Sequence, residues 1–148
     1  EHIMIVDLIR NDLGKICKFG TVEANNLFKV HSFKTIHHMI TEITGKLKEE
    51  IQEKDVFHAL FPGGSVTGAP KQRSLEIIDE LENYSRGIYT GTIGFISNVG
   101  DMNFNIAIRT LTLEDNKITY PVGGGIVWDS KSKEEREEAQ HKSKILSI

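Results

Sequence analysis

Between residues 88 and 120 the chain carries three strand-like segments in succession, 88–96, 102–113 and 117–120, with no helical spacing between them. The triplet Glu114-Asp115-Asn116 has the composition of a turn joining the last two. Helices must lie elsewhere, so the class is α+β rather than strict βαβ alternation.

The helical segments are visible on both sides of this block. Residues 1–13 place Met4, Leu8 and Ile9 on one helical face, with Gly14 suited to a C-terminal stop. Residues 70–82 give the clearest pattern: Leu75, Ile78 and Leu81 recur at three-residue steps beside Ile77, and Pro70 stands at the start. The segment from 132 to 148 opens with Ser132 and Glu135 in capping-box spacing. Residues 21–32 alternate as a strand, Leu27, Lys29 and His31 against Phe28, Val30 and Ser32. In 35–47 the spacing of Ile36, Ile40, Ile43 and Leu47 fits a helix as well as a strand. No repeat appears, and Pro62, Pro70 and Pro121 are too scattered to mark a linker, so 1–148 reads as one continuous unit.

Composition closes off several functions. Lys and Arg number 18 against 21 Asp and Glu, dispersed along the chain, which argues against a basic face for nucleic acid. Apolar runs such as 3–6 and 91–96 fall far short of the roughly 20 residues of a membrane-spanning helix. The single cysteine, Cys17, allows no internal disulfide, and no basic-then-apolar leader opens the sequence, so a reducing, cytoplasmic setting is expected. The chain begins at Glu1 and enters a patterned segment at once, which points to processing or to an absent upstream portion.

Three glycine-rich stretches invite a chemical reading. Gly63 and Gly68 have the spacing of a phosphate loop, but Ala69-Pro70 intervenes before Lys71, where a Lys-Ser/Thr pair would have to follow. What remains is a place for a carboxylate or other anion: backbone N–H groups, the Ser65 and Thr67 hydroxyls, and Lys71, or else an ordinary capped loop. Gly91 and Gly94, and the run Gly123-Gly124-Gly125, suit a bulge, sheet curvature or a ligand lying against the backbone. Glu135 and Glu138 stand three apart in an acidic run, so a helix projects both carboxylates from one side, either as a solvated face or as a hard-cation site. A capping role for Glu135 would compete with metal binding, and Lys142 is placed to pair with Glu138 or to reach an anion. His31, His37 and His38 lack partners at zinc spacing.

Read together, EHIMIVDLIRNDLGKI, FPGGSVTGAPKQRSLEIIDELE, YTGTIGFIS, GDMNFNIAIRT, VGGGIVWDS and EREEAQHK resemble the C-terminal part of the chorismate-utilising enzymes, over essentially the whole chain. Within that family FPGGS and VGGGIVWDS resemble the aminodeoxychorismate synthase component I branch, which makes the para-aminobenzoate precursor of folate. The anthranilate synthase component I branch, more often FPAGT and AGAGIV, is the alternative, and isochorismate and salicylate synthases come third. An anion-binding module without turnover is the reading from another class.

The resemblance implies a fold of antiparallel-rich sheets packed together with helices outside, and favours strand for 35–47. It implies magnesium held by Glu1, Glu135 and Glu138, with the metal anchoring the ring carboxylate of chorismate. Ser65 and the backbone of Gly123 and Gly125 would cradle that carboxylate, and Tyr89 with Arg109 would hold the enolpyruvyl carboxylate, Arg109 from a strand with its head in a polar pocket. His38 would stand near the leaving hydroxyl and Lys142 near carboxylate and metal. The implied reaction is amination of chorismate to 4-amino-4-deoxychorismate, with ammonia from a glutamine amidotransferase partner. The family's nucleophilic lysine and general acid would lie upstream of Glu1, so the segment is expected to be a truncated portion of a catalytic domain, inactive alone. It would leave apolar sheet surface uncovered, and so either associate with another copy or be only marginally stable.

Overall fold

A computed structural model describes residues 1–34 and 36–144. Two compact units divide the chain, Glu1–Asn83 and Tyr84–Ile148, although no linker composition marks the boundary.

The first unit begins with helix α1, His2–Ile16. Gly14 does not stop it: the helix runs on one half-turn and ends at Cys17, whose N–H bonds the Leu13 carbonyl. Its buried positions are Val6, Asp12 and Ile16, whereas Met4 and Ile9 of the face anticipated from spacing are exposed. Strands β1 (Glu23–Ser32) and β2 (His37–Thr44) pair antiparallel, which resolves the ambiguous 35–47 segment as strand. Their register shifts between Asn25 and Lys29, where Asn26 and Phe28 adopt positive φ, so the alternation through Leu27 and Phe28 is interrupted by a bulge. Helix α2 (Glu53–Leu60) is closed by a true capping box between Gln52 and Asp55. Ile16, Cys17 and Ala59 form the core, with Leu13, Val22, Ile51 and Val56 packed against it. Burying Ile16 alone is worth about 1.5–3 kcal/mol. A 3-10 turn, Gly64–Val66, leads to α3 (Lys71–Leu81), for which Pro70 is the N-cap.

The second unit holds β3 (Thr92–Ile96) and β4 (Met102–Ile106), then β5 (Thr112–Glu114) and β6 (Lys117–Thr119), each pair antiparallel. Gly94 sits opposite Phe104, whose ring leaves no room for a Cβ there, so the strand glycine serves cross-strand packing. Asp115 and Asn116 both take positive φ between β5 and β6, the two-residue hairpin their composition predicts. The expected strands are shorter than alternation suggested. Residues 88–91 form turns, and 107–111 separate β4 from β5 because Arg109 turns to φ +50. Helix α4, Ser132–Ser143, follows the glycine run, and the end of the predicted helix at 145–148 lies outside the described residues. Large apolar side chains stay exposed in this unit, Phe95 on β3 and Trp128 in a turn among them. No helix among the described residues is long and apolar enough to cross a membrane.

Candidate functional site

Tyr89 and Arg109 are brought to one end of the β3–β4 ladder. Beyond the named strands the ladder continues through Thr90 and Ala107: the Thr90 N–H donates to the Ala107 carbonyl and the Ala107 N–H to the Gly91 carbonyl, each at 2.9 Å. Ala107 is fully buried and Thr90 nearly so, which fixes this extension. Tyr89 immediately precedes it and Arg109 follows two residues after. Arg109 is therefore not on a strand, as its alternating neighbours suggested, nor in the polar pocket expected for a carboxylate-binding head, but at an exposed left-handed bend. The Arg86 guanidinium lies 5.8 Å from the Tyr89 ring centroid, steadying the half-buried phenol.

The Tyr89 hydroxyl meets the glycine run. A Cβ built on Gly123 would stand 2.9 Å from Tyr89 Oη, so any larger residue there would have to displace the phenol. Gly124 faces the opposite wall: a Cβ there would lie 3.1 Å from Glu135 Oε2, 3.6 Å from Glu138 Oε1 and 3.9 Å from Lys142 Nζ. Gly125 has open space at the same position. Helix α4 thus presents Glu135, Glu138 and Lys142 to the glycine backbone, as their spacing of three and four residues requires.

The electrostatics of that wall are set by Lys142. Its ammonium pairs with Glu138 Oε1 at 2.5 Å and donates to the Gly123 carbonyl at 2.9 Å. Lys142's hydrogen bond and charge hold the Glu138 carboxyl below its ordinary range, so it stays ionised. Glu135 is held from the other side. Ser130 Oγ donates to Glu135 Oε1 at 2.6 Å and accepts from the Val127 N–H at 3.0 Å, leaving Oε2 turned toward Gly124. The anticipated capping box does not form. Lys131 is the N-cap of α4, Ser132 is already helical, and Glu135 is freed from the role that would have competed with metal binding.

Gly124 stands out in the sequence only as part of the glycine run, and Ser130 has no role of its own there. The signal for Ser130 was present only as a hydroxyl five residues before Glu135, a separation that no regular helix makes adjacent; the turn at 127–130 does so instead.

Glu135 Oε2 and Glu138 Oε1 both face the backbone of Gly124, and carboxylate oxygens are the ligand type that a hard divalent cation such as magnesium takes, one or two of them with water completing its shell. Lys142 holds the same Glu138 oxygen, so a divalent ion there would exchange with the ammonium. Within either unit, among the described residues, no group of three His, Cys, Asp or Glu stands together.

In the first unit Glu1 is exposed at the N-terminus of α1, its carbonyl accepting from Ile5. His38 lies on β2 opposite His31, exposed, with its ring edge against Phe33 at 6.2 Å. Ser65 stands exposed on the 3-10 turn. Lys71 does not face the solvent anion its position suggested: its partner is the protein's own Asp12, at 2.7 Å, and Thr67 Oγ1 donates to the Gly63 carbonyl.

Comparison with known proteins gives a consistent picture. Residues 1–147 match the family described as chorismate binding enzyme. The chain is 44% identical over 146 residues to anthranilate synthase component 1 of Aquifex aeolicus, covering 99% of this chain and 30% of that protein. It is 47% identical over 138 residues to aminodeoxychorismate synthase component 1 of Escherichia coli, covering 93% of this chain and 30% of that protein. The crystal structure of anthranilate synthase component I from Streptococcus pneumoniae superposes with a TM-score of 0.93 at 39% identity, over 99% of this chain and 34% of that one. The chain thus spans about a third of the length of the relatives it matches.

Proposed function

The chain belongs to the chorismate-binding enzyme family, and on that premise we propose that the protein carrying it aminates chorismate to 4-amino-4-deoxychorismate, in the cytoplasm, for folate synthesis. The observation that carries this reading is the meeting of Tyr89 Oη, Glu135, Glu138 and Lys142 on the backbone of Gly123 and Gly124. An anion with two carboxylates needs donors at two places and neutralisation of charge, and this arrangement offers both.

Arg109 and Tyr89, at one end of the β3–β4 ladder, bind the enolpyruvyl carboxylate; a guanidinium fork matches a carboxylate with two parallel N–H donors. Within the second unit the Gly123 and Gly125 backbone receives the ring carboxylate, and Glu135 and Glu138 would hold magnesium. Ser65 and Glu1 belong to the first unit, and the family pattern alone assigns them a carboxylate and the metal respectively. Magnesium bound there would supply charge neutralisation for the ring carboxylate and Lewis-acid assistance to loss of the hydroxyl. Lys142, hydrogen-bonded to the Gly123 carbonyl, is the cationic side chain beside the carboxylate. His38 is the histidine that the family pattern assigns to the neighbourhood of the leaving hydroxyl, the general acid itself being expected upstream of Glu1. Ammonia comes from a glutamine amidotransferase partner.

The superposition on an anthranilate synthase, with 44% identity to another over nearly the whole chain, favours a second reading, formation of anthranilate from the same substrate. Product analysis separates the two. The protein carrying this chain is incubated with chorismate, magnesium and ammonium. Accumulation of 4-amino-4-deoxychorismate supports the first reading, fluorescent anthranilate the second, and unconsumed chorismate counts against both.

A further inference from the structure

Asp12 is only 4% exposed, yet it carries a carboxylate. Burial raises its pKa, but hydrogen bonds and charge from Lys15 and Lys71 outweigh that and leave it below the ordinary value. Oδ1 accepts from Lys15 Nζ and Oδ2 from Lys71 Nζ, both at 2.7 Å. Lys71 Nζ also reaches the Ala59 carbonyl at 3.3 Å. One ammonium, on the first residue of α3, therefore joins α1 to the last turn of α2.

What lies between those anchor points is the loop that carries Ser65. Residues 61–70 leave α2 and return to α3, and the Asp12–Lys71–Ala59 contact draws the two ends of that loop together. Its middle is seated independently: a Cβ at Gly64 would meet Leu8 Cδ1 at 3.3 Å, and one at Gly68 would meet Ser74 Oγ at 2.6 Å. Ser65 is left exposed at the crest. A buried ion pair is weak support for stability, since desolvation offsets most of the attraction and apolar residues of like volume serve as well. Its distinctive effect is to fix one geometry, because each charge needs its partner at one place.

We propose that Asp12 and Lys71 are positioning residues that hold the 63–68 loop closed so that Ser65 meets the substrate carboxylate. The inference rests on the reading of Ser65 given above, and its test separates the two. Hydrogen–deuterium exchange is followed by mass spectrometry on the intact chain for the wild type, Lys71→Met, Lys71→Arg and Asp12→Asn, and chorismate binding is titrated on the same samples. Lys71→Met keeps Lys15 on Asp12, so it leaves the buried carboxylate neutralised even if Asp12→Asn does not fold. Exchange at 63–68 is expected to rise about tenfold in Lys71→Met, with β1–β2 amides unchanged and Lys71→Arg close to wild type. Chorismate affinity should fall about tenfold in parallel. Unchanged exchange at 63–68, or an equal rise throughout the first unit, overturns the positioning role. If the wild type binds no chorismate, the assignment of Ser65 fails while the exchange pattern still decides the clamp.

Discussion

Lys142 donates from Nζ to the carbonyl oxygen of Gly123 at 2.9 Å, across 19 residues of sequence. The contact ties α4 to the glycine run and sets the ammonium on the same Glu138 oxygen that a divalent ion would use. The arrangement makes the carboxylate pair, the lysine and the glycine backbone one unit, so each can be perturbed with an expected effect on the others.

Gly124→Ala tests the convergence directly. The added Cβ stands 3.1 Å from Glu135 Oε2, closer than an ordinary contact, so the carboxylate must shift by a few tenths of an ångström. Magnesium affinity, measured calorimetrically in the presence of chorismate, should fall about tenfold while circular dichroism keeps its helical signal. Unaltered affinity would remove Gly124 from the site.

Ser130 orients Glu135 without touching substrate. Ser130→Ala removes the 2.6 Å hydrogen bond and lets the carboxylate rotate. Losses of this kind lower metal affinity roughly 10- to 100-fold, and Ser130→Thr, which keeps the hydroxyl, should restore it. Equal affinities for Ala and Thr would show that the hydroxyl does not matter.

Arg109→Lys preserves charge and loses the fork. Arg109 is exposed and makes no hydrogen bond or ion pair with the described residues, so the melting temperature should not move. Chorismate affinity should drop about tenfold all the same. Retained affinity would leave a simple cation as the requirement.

Much of this arrangement was legible in the sequence, and the failures have identifiable causes. Glu135, Glu138 and Lys142 share a face because helical spacing alone decides it. The turn at Asp115-Asn116 follows from residues that tolerate positive φ. Arg109 was misplaced because alternation in NFNIAIRTLTL continues through a residue whose backbone turns left-handed, and side-chain pattern does not encode that bend. The capping box failed by one residue, since helix entry at Lys131 was decided by the 127–130 turn. The Asp12–Lys71 pair spans 59 residues, beyond the reach of any local pattern. Helix α1 turned its Asp12 inward and left Met4 and Ile9 exposed for the same reason: a long-range partner outweighed local amphipathicity.

The same aspartate gives the chain a defined acid response. Because its folded-state pKa lies below the ordinary 3.8, the stability Asp12 contributes is complete above that value and is lost as pH falls through the lower one. Asp12→Asn should cost about 3 kcal/mol near neutrality. The gap between wild type and variant in urea unfolding should narrow as the pH falls below the ordinary 3.8. A gap independent of pH would mean that the charge of Asp12 is not what matters.

The central claim is that Glu138 and its neighbours bind chorismate through a divalent cation. Isothermal titration of the chain with chorismate, with and without magnesium, in wild type and Glu138→Ala, tests it most directly. Binding that requires magnesium and is lost in Glu138→Ala is the predicted result. Binding that is the same without magnesium, and the same in Glu138→Ala, would contradict it.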